Sequence, residues 1–160
     1  MKIKTYQLDS DDSMKDSNRF MVIYSDEEDY RLAFLLNYHL QTHFVKVPSL
    51  IQKKSFIEFS IFEYNDTTHY RDWFLLCNYQ LVKQDKVQLK GLFSDIATTI
   101  EIPAYYLKEL YKARFILKII ADEPNSFYEN LLNKLKEIPQ IYAAEFINLQ
   151  SIKEKELLNF

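Results

Sequence analysis

A single glycine, Gly91, stands among the 160 residues of this chain, and that scarcity excludes more chemistry than any motif suggests. Phosphate-cradling loops, dinucleotide-binding turns and the nucleophile elbow all need several glycines, because the backbone there turns sharply or closes on a ligand. Turns must be made by Asn, Asp, Ser and the four prolines instead. Cysteine is equally sparse. Cys77 has no partner for an internal disulfide, which points to a reducing cytosol. No apolar run is long enough to span a membrane. The polar stretch Asp9–Asn18 leaves the N-terminal segment without the apolar core of a signal peptide. Positive charge is not in excess either: 20 Lys and Arg stand against 23 Asp and Glu, a net charge of −3. The average field therefore repels a nucleic-acid backbone.

What is present has the balance of one soluble globular domain over residues 1–160, with 48% hydrophobic and 27% charged residues. With 12 Phe and 12 Tyr, the core is expected to be rich in aromatic rings.

The chain is organised around residues 26–40. Ser25 followed by Glu28 predicts a capping box, with Asp26, Glu27, Glu28 and Asp29 in the first turn against the positive end of the helix dipole. Leu32, Ala33, Leu36 and Leu40 then form one aliphatic stripe. Tyr30, Phe34 and Tyr38 form a second, aromatic stripe on another side of the same helix. One stripe is expected to lie on a sheet. The other is expected under a loop or terminal segment, or against a partner chain.

Around this helix the pattern is mostly extended. Lys2–Leu8 and Phe20–Tyr24 read as strands, and His43–Val47 as a third that Pro48 ends. Ser55–Tyr64 alternates, with Ile57, Phe59 and Ile61 on one face. Asn65–Thr68 turns the chain into Arg71–Val82, whose Trp73–Cys77 core is apolar on both faces and predicts a central strand. Gly91 marks a turn. Ile96–Ile102 is extended until Pro103, Tyr105–Leu110 fits either a short strand or a helical turn, and Arg114–Ile120 is a strand. Pro124 precedes a second helix with a Ser126–Glu129 capping box and an apolar stripe of Phe127, Leu131, Leu135 and Ile138, closed by Pro139. Ile141–Ile147 is the last strand, and Leu157, Leu158 and Phe160 predict a tail that docks. The predicted fold is α+β in a single domain. A mostly antiparallel sheet carries two main helices on one face, with a ferredoxin-like strand-helix-strand in the C-terminal half.

Several segments resemble the IPExxxVDY family of small bacterial proteins, known mainly from Bacteroidetes. They are Glu28-Asp29-Tyr30-Arg31-Leu32 with Asn37 and Leu40, Phe59-Ser60-Ile61-Phe62-Glu63-Tyr64, Ile138-Pro139-Gln140-Ile141, and Lys153-x-Lys155. In the place of the name motif stands Leu107–Phe115, where Glu109 matches, Lys108 replaces the proline, and Ala113-Arg114-Phe115 replaces Val-Asp-Tyr. The resemblance spans most of the chain and implies no activity, substrate or catalytic residue.

Chemistry-bearing residues are few. His39 and His43 are four apart, a spacing that can hold a metal on a helix, but the helix is expected to end between them. Cys77 and His69 could in principle pair as nucleophile and base, but Cys77 lies in the most apolar strand, where a thiol stays protonated. Arg31 is placed to pair with Glu27 or Glu28, or to stack on a tyrosine. Lys108, Lys112 and Arg114, interleaved with Tyr105, Tyr106 and Tyr111, form the basic, aromatic cluster that could stack RNA bases on Tyr106 or Tyr111. No catalytic set, cofactor or metal site is predicted. The expectation is a cytoplasmic, non-enzymatic interaction module that binds a protein partner or a second copy of itself. Its surface would be drawn from Tyr30, Arg31, Phe34, Tyr38, Lys108, Glu109, Lys112 and Arg114. A small-ligand regulatory module with a tyrosine-lined pocket between sheet and helix, and an RNA-associated protein using Lys108–Arg114, are the alternatives.

Overall fold

A computed structural model describes residues 18–85 and 99–160. The expected strand Lys2–Leu8, the loop after it and the Gly91 turn lie outside those residues. The fold is α+β. Strand β1 (Asn18–Tyr24) leads into helix α1 (Asp29–Leu40), which is followed by β2 (Val45–Ile51), β3 (Glu58–Asp66) and β4 (Arg71–Cys77). A ribbon of β5 (Tyr79–Asp85) and β6 (Thr99–Tyr105) comes next, then β7 (Phe115–Ile120), helix α2 (Asn125–Glu137) and β8 (Ala143–Phe146). Six strands form one sheet in the order β2-β3-β4-β7-β1-β8, and every neighbouring pair is antiparallel. β7 and β8 therefore run parallel, joined across α2, with β1 between them. The ferredoxin-like analogy reaches no further than that crossover.

The alternation of side chains along the central strands produces two apolar layers. Met21, Ile23, Leu75, Phe115 and Leu117 point to the side that carries both helices, where they meet Leu32 and Leu36 of α1 and Tyr128, Leu131 and Leu135 of α2. Trp73 pairs with Ile119 and Leu75 with Leu117 across β4 and β7, so this layer continues without a break. On the opposite side, Phe20, Val22, Phe59, Ile61, Leu76 and Ile116 are covered by Tyr106, Leu107 and the docked tail, with Ile152 and Leu158 buried. Leu157 and Phe160 pack beside them. The central position of Trp73–Cys77, the alternating faces of Arg114–Ile120 and the docking of the tail all follow the sequence.

Several expectations are corrected. α1 begins at Asp29, and Glu28, its N-cap, makes no side-chain cap. Ser25 is engaged elsewhere: its hydroxyl donates to the Gln140 carbonyl (2.7 Å) and accepts the Glu27 amide (3.2 Å). α2 likewise has no capping box, because Asn125 opens it, Pro124 is the N-cap and Ser126 lies within the helix. Pro48 does not end its strand. It sits inside β2, an edge strand whose register against β3 shifts between Val47 and Leu50, and an edge position needs no donor on its outer side. Pro103 lies within β6 for the same reason. Arg71–Val82 is not one strand. It divides into β4 and β5 at Asn78, where the chain leaves the main sheet.

Asn78 is fully buried and fastens that division. Its main-chain amide donates to the Arg114 carbonyl (2.6 Å) and its carbonyl accepts the Tyr106 amide (3.0 Å). Its side-chain Oδ1 accepts the Leu107 amide (2.7 Å), while Nδ2 faces the carbonyls of Leu107 (3.3 Å), Leu110 (3.0 Å) and Ala113 (3.0 Å). One side chain thus supplies the acceptor of the Leu107 amide and a donor to the Ala113 carbonyl, and adds to turn bonds that the Leu107 and Leu110 carbonyls already accept from the amides of Leu110 and Ala113.

Candidate functional site

The outer face of α1 is the most apolar exposed surface that any single helix presents among the described residues. Leu32, Ala33 and Leu36 turn inward, and this fixes Tyr30, Phe34 and Tyr38 outward, since residues four apart share a face. They are 60%, 66% and 73% exposed. Among the described residues, no loop or terminal segment buries this stripe. The rings span about 12 Å along the axis at 1.5 Å rise per residue. Arg31 joins the same surface through an ion pair with Glu27 (3.1 Å) and stacks on no tyrosine among the described residues. Asp29 accepts its neighbour's amide (Tyr30 N, 2.7 Å) and lies 3.6 Å from Lys46. Burial raises its carboxyl, but hydrogen bonds from Ser60 and Tyr30 and the Lys46 charge together hold it below its ordinary value. Asn37, also in α1, ties the helix to the next segment by accepting the Phe44 amide (2.7 Å) and donating to the Phe44 carbonyl (3.1 Å).

The remaining predicted residues do not join that face. Lys108 and Glu109 stand in a short 3-10 turn (Lys108–Leu110). Glu109 accepts the Lys153 amide (2.9 Å), which brings together two of the residues that carried the family resemblance. Main-chain amides, its own and then that of Lys153, hold the Glu109 carboxyl below its usual range. A shallow cavity of about 650 Å³ lies between this turn and Gln52, Lys54 and Ser55. Lys112 leans toward Tyr111 (5.8 Å). Arg114 turns away from both, donating to the Asp26 carbonyl (3.0 Å) with its guanidinium 4.6 Å from the Tyr79 ring. Tyr106 is buried against Phe59 and Phe160, so the base-stacking role assigned to it is corrected; Tyr111 is exposed. Tyr106 leaves the basic, aromatic cluster, but the rest stays linked: Arg114 lies on Tyr79, Tyr79 is 5.8 Å from Tyr105, and Tyr105 is 6.4 Å from Tyr111, beside which Lys112 stands.

His39 lies in α1 and His43 beyond its end, and among the described residues no three His, Cys, Asp or Glu side chains gather as a metal site. Cys77 is the last residue of β4 and His69 stands just before its first, so the two lie at opposite ends of that strand. The Cys77 thiol is buried, donates to the Tyr79 carbonyl (3.1 Å) and is pushed up in pKa by its burial. His69 is bonded instead to Asp66, through Nδ1 (2.8 Å) and through its amide (3.2 Å).

Sequence reasoning missed two features. Lys118 is buried in the centre of β7, with its Nζ donating to the main-chain oxygens of Leu158 (3.0 Å) and Phe160 (2.6 Å) and ringed by Phe20, Phe74 and Phe160 at 5.1–5.8 Å. Its signal was a lone charge on an otherwise apolar strand face. The second is the group around Arg71. Its guanidinium binds Glu123 (2.7 and 2.6 Å), covers the Phe127 ring (4.3 Å) and reaches Asp66 (3.9 Å). These residues come from two stretches, the β3–β4 hairpin and the segment that enters α2, and Arg71 and Glu123 are 52 residues apart in the chain.

No helix of the described residues is long and apolar enough to cross a membrane. No family model, curated protein or solved structure matches the chain.

Proposed function

We propose that this chain is a non-enzymatic interaction module that pairs with a second copy of itself through the outer face of α1. The observation that carries the reading is the exposed row of Tyr30, Phe34 and Tyr38 on a helix whose other face is already buried. A contiguous apolar row of this kind marks an interaction surface. The spacing favours a copy of the same chain. The row is symmetric about Phe34, so two helices packed antiparallel on a two-fold axis set Phe34 on Phe34 and Tyr30 on Tyr38 of the second copy. The same arrangement opposes the two helix dipoles. It also brings the acidic Asp26–Asp29 run of one copy toward His39 and His43 of the other.

Three rings exposed by about two thirds present roughly 400 Å² per copy, or roughly 800 Å² for the pair. Stable interfaces bury about 1,200–2,000 Å². Flanking side chains such as Arg31 must supply the difference, and the dimer is expected to be weak and concentration-dependent. Light scattering across a dilution series tests this. The expected result is a mass that rises toward twice 19.3 kDa with concentration. Phe34→Glu should keep the monomer mass throughout and leave the circular dichroism unchanged. A native protein that stays monomeric at high micromolar concentration, or a dimer that survives Phe34→Glu, overturns the reading.

A further inference from the structure

A second recognition surface lies away from the outer face of α1. We propose that the cavity between the C-terminal end of α1, the β3–β4 hairpin and α2 binds a small aromatic carboxylate. The cavity has a volume of about 380 Å³, within the range of small-molecule sites. Its walls are the rings of Tyr64, Trp73 and Phe127, with Leu131 beside them. Trp73 is 4% exposed and lies 6.2 Å from both Tyr64 and Phe127, so the aromatic wall is held by core packing and is in place before anything binds.

The charges around the cavity decide the class of ligand. Both acids are already committed. Asp66 is bonded to His69 and lies near Arg71, and Glu123 is bonded to Arg71, whose own charge is thereby used within the protein. Lys134 on α2 also lines the cavity and makes no ion pair among the described residues. The His69 ring is held at the rim by Asp66 through Nδ1. An aromatic interior with an uncommitted ammonium at its mouth suits a planar ring that carries an anion. It suits a cation poorly, because no carboxylate here is left unpaired.

Trp73 is the one tryptophan of the chain, so its emission and its indole N–H resonance report this cavity alone. The full chain is titrated with phenylacetate, and in parallel with phenethylamine, which has the same ring and the opposite charge. The expected result is a saturable change of both Trp73 signals with phenylacetate and at least tenfold weaker binding of phenethylamine. Lys134→Glu, an exposed substitution that should leave the unfolding midpoint in place, is expected to weaken phenylacetate at least tenfold. Three results overturn the proposal: no saturable shift of the Trp73 indole resonance into the millimolar range, equal binding of the two probes, or unchanged phenylacetate affinity in Lys134→Glu.

Discussion

Asn78→Asp changes one atom and little volume, and the structure assigns it a large cost. The orientation of the amide is fixed by its neighbours. Oδ1 meets an N–H at 2.7 Å, and Nδ2 meets three carbonyl oxygens at 3.0–3.3 Å. A carboxylate retains the first bond and turns the other three contacts into repulsions between oxygens. It also buries a charge at a site with no exposure. Leaving a buried group unpaired costs about 1–3 kcal/mol, and an uncompensated buried charge about 3–5 kcal/mol. The second figure sets the scale here, because the contacts share one site and do not add. That is a large part of the roughly 5–15 kcal/mol that holds a typical domain. Protonation relieves the repulsion by supplying a donor, so the introduced acid has a folded pKa above its unfolded value. Its penalty is then smallest below the unfolded value, near ~4, and grows as pH rises toward neutral. Urea unfolding of the native and variant chains at pH 7 and in mild acid reads both effects, taken as differences so that other carboxylates cancel. A variant within about 1 kcal/mol of native at pH 7 refutes the reasoning, as does a deficit that fails to shrink on acidification.

Other consequences are simpler to state. Leu158→Ala removes a side chain buried against the second apolar layer and should lower stability by about 2–4 kcal/mol, read from the urea midpoint; a loss under half a unit would mean the tail is not docked. Lys118 is pushed below its ordinary value of 10.5 by desolvation. Its folded pKa is depressed, so the stability that goes with the neutral amine is complete above 10.5 and lost as pH falls through the folded value. The native chain should therefore gain on Lys118→Met between those limits, in melting temperatures compared from pH 8 upward, and a constant difference would contradict this. Amide hydrogen exchange should be slowest in β4 and β7, which have partners on both sides, and much faster in the two-stranded β5–β6 ribbon; equal protection would show a covered ribbon.

What the sequence made legible was whatever depends on period and bulk. Trp73–Cys77 is apolar on both faces because both faces are covered, and Leu32, Ala33 and Leu36 repeat as a buried helix side must. What it hid depends on partners distant in the chain. Ser25 and Glu28 have capping-box spacing, yet the serine is held by Gln140, 115 residues on. Pro48 and Pro103 look like terminators until strand order shows that each strand has an open edge. Asn78 reads as a polar residue between apolar neighbours, and its role needs the turn from Leu107 to Ala113 to be folded around it. For the candidate site, the row Tyr30, Phe34 and Tyr38 was visible as a pattern, but its exposure was not. The Lys134 cavity was invisible, because its walls come together only in three dimensions.

The place of β1 has a consequence for biosynthesis. It sits between β7 and β8, and both neighbours are made roughly a hundred residues after it. A ribosome adding about 5–20 residues per second leaves that early segment waiting some 5–20 s for its flanks. β2, β3 and β4 can form their meander in the meantime, while Met21, Ile23 and the inner side of α1 stay uncovered. The nascent chain therefore keeps apolar surface uncovered until its last third emerges, and a slowed ribosome would lengthen its exposure to aggregation.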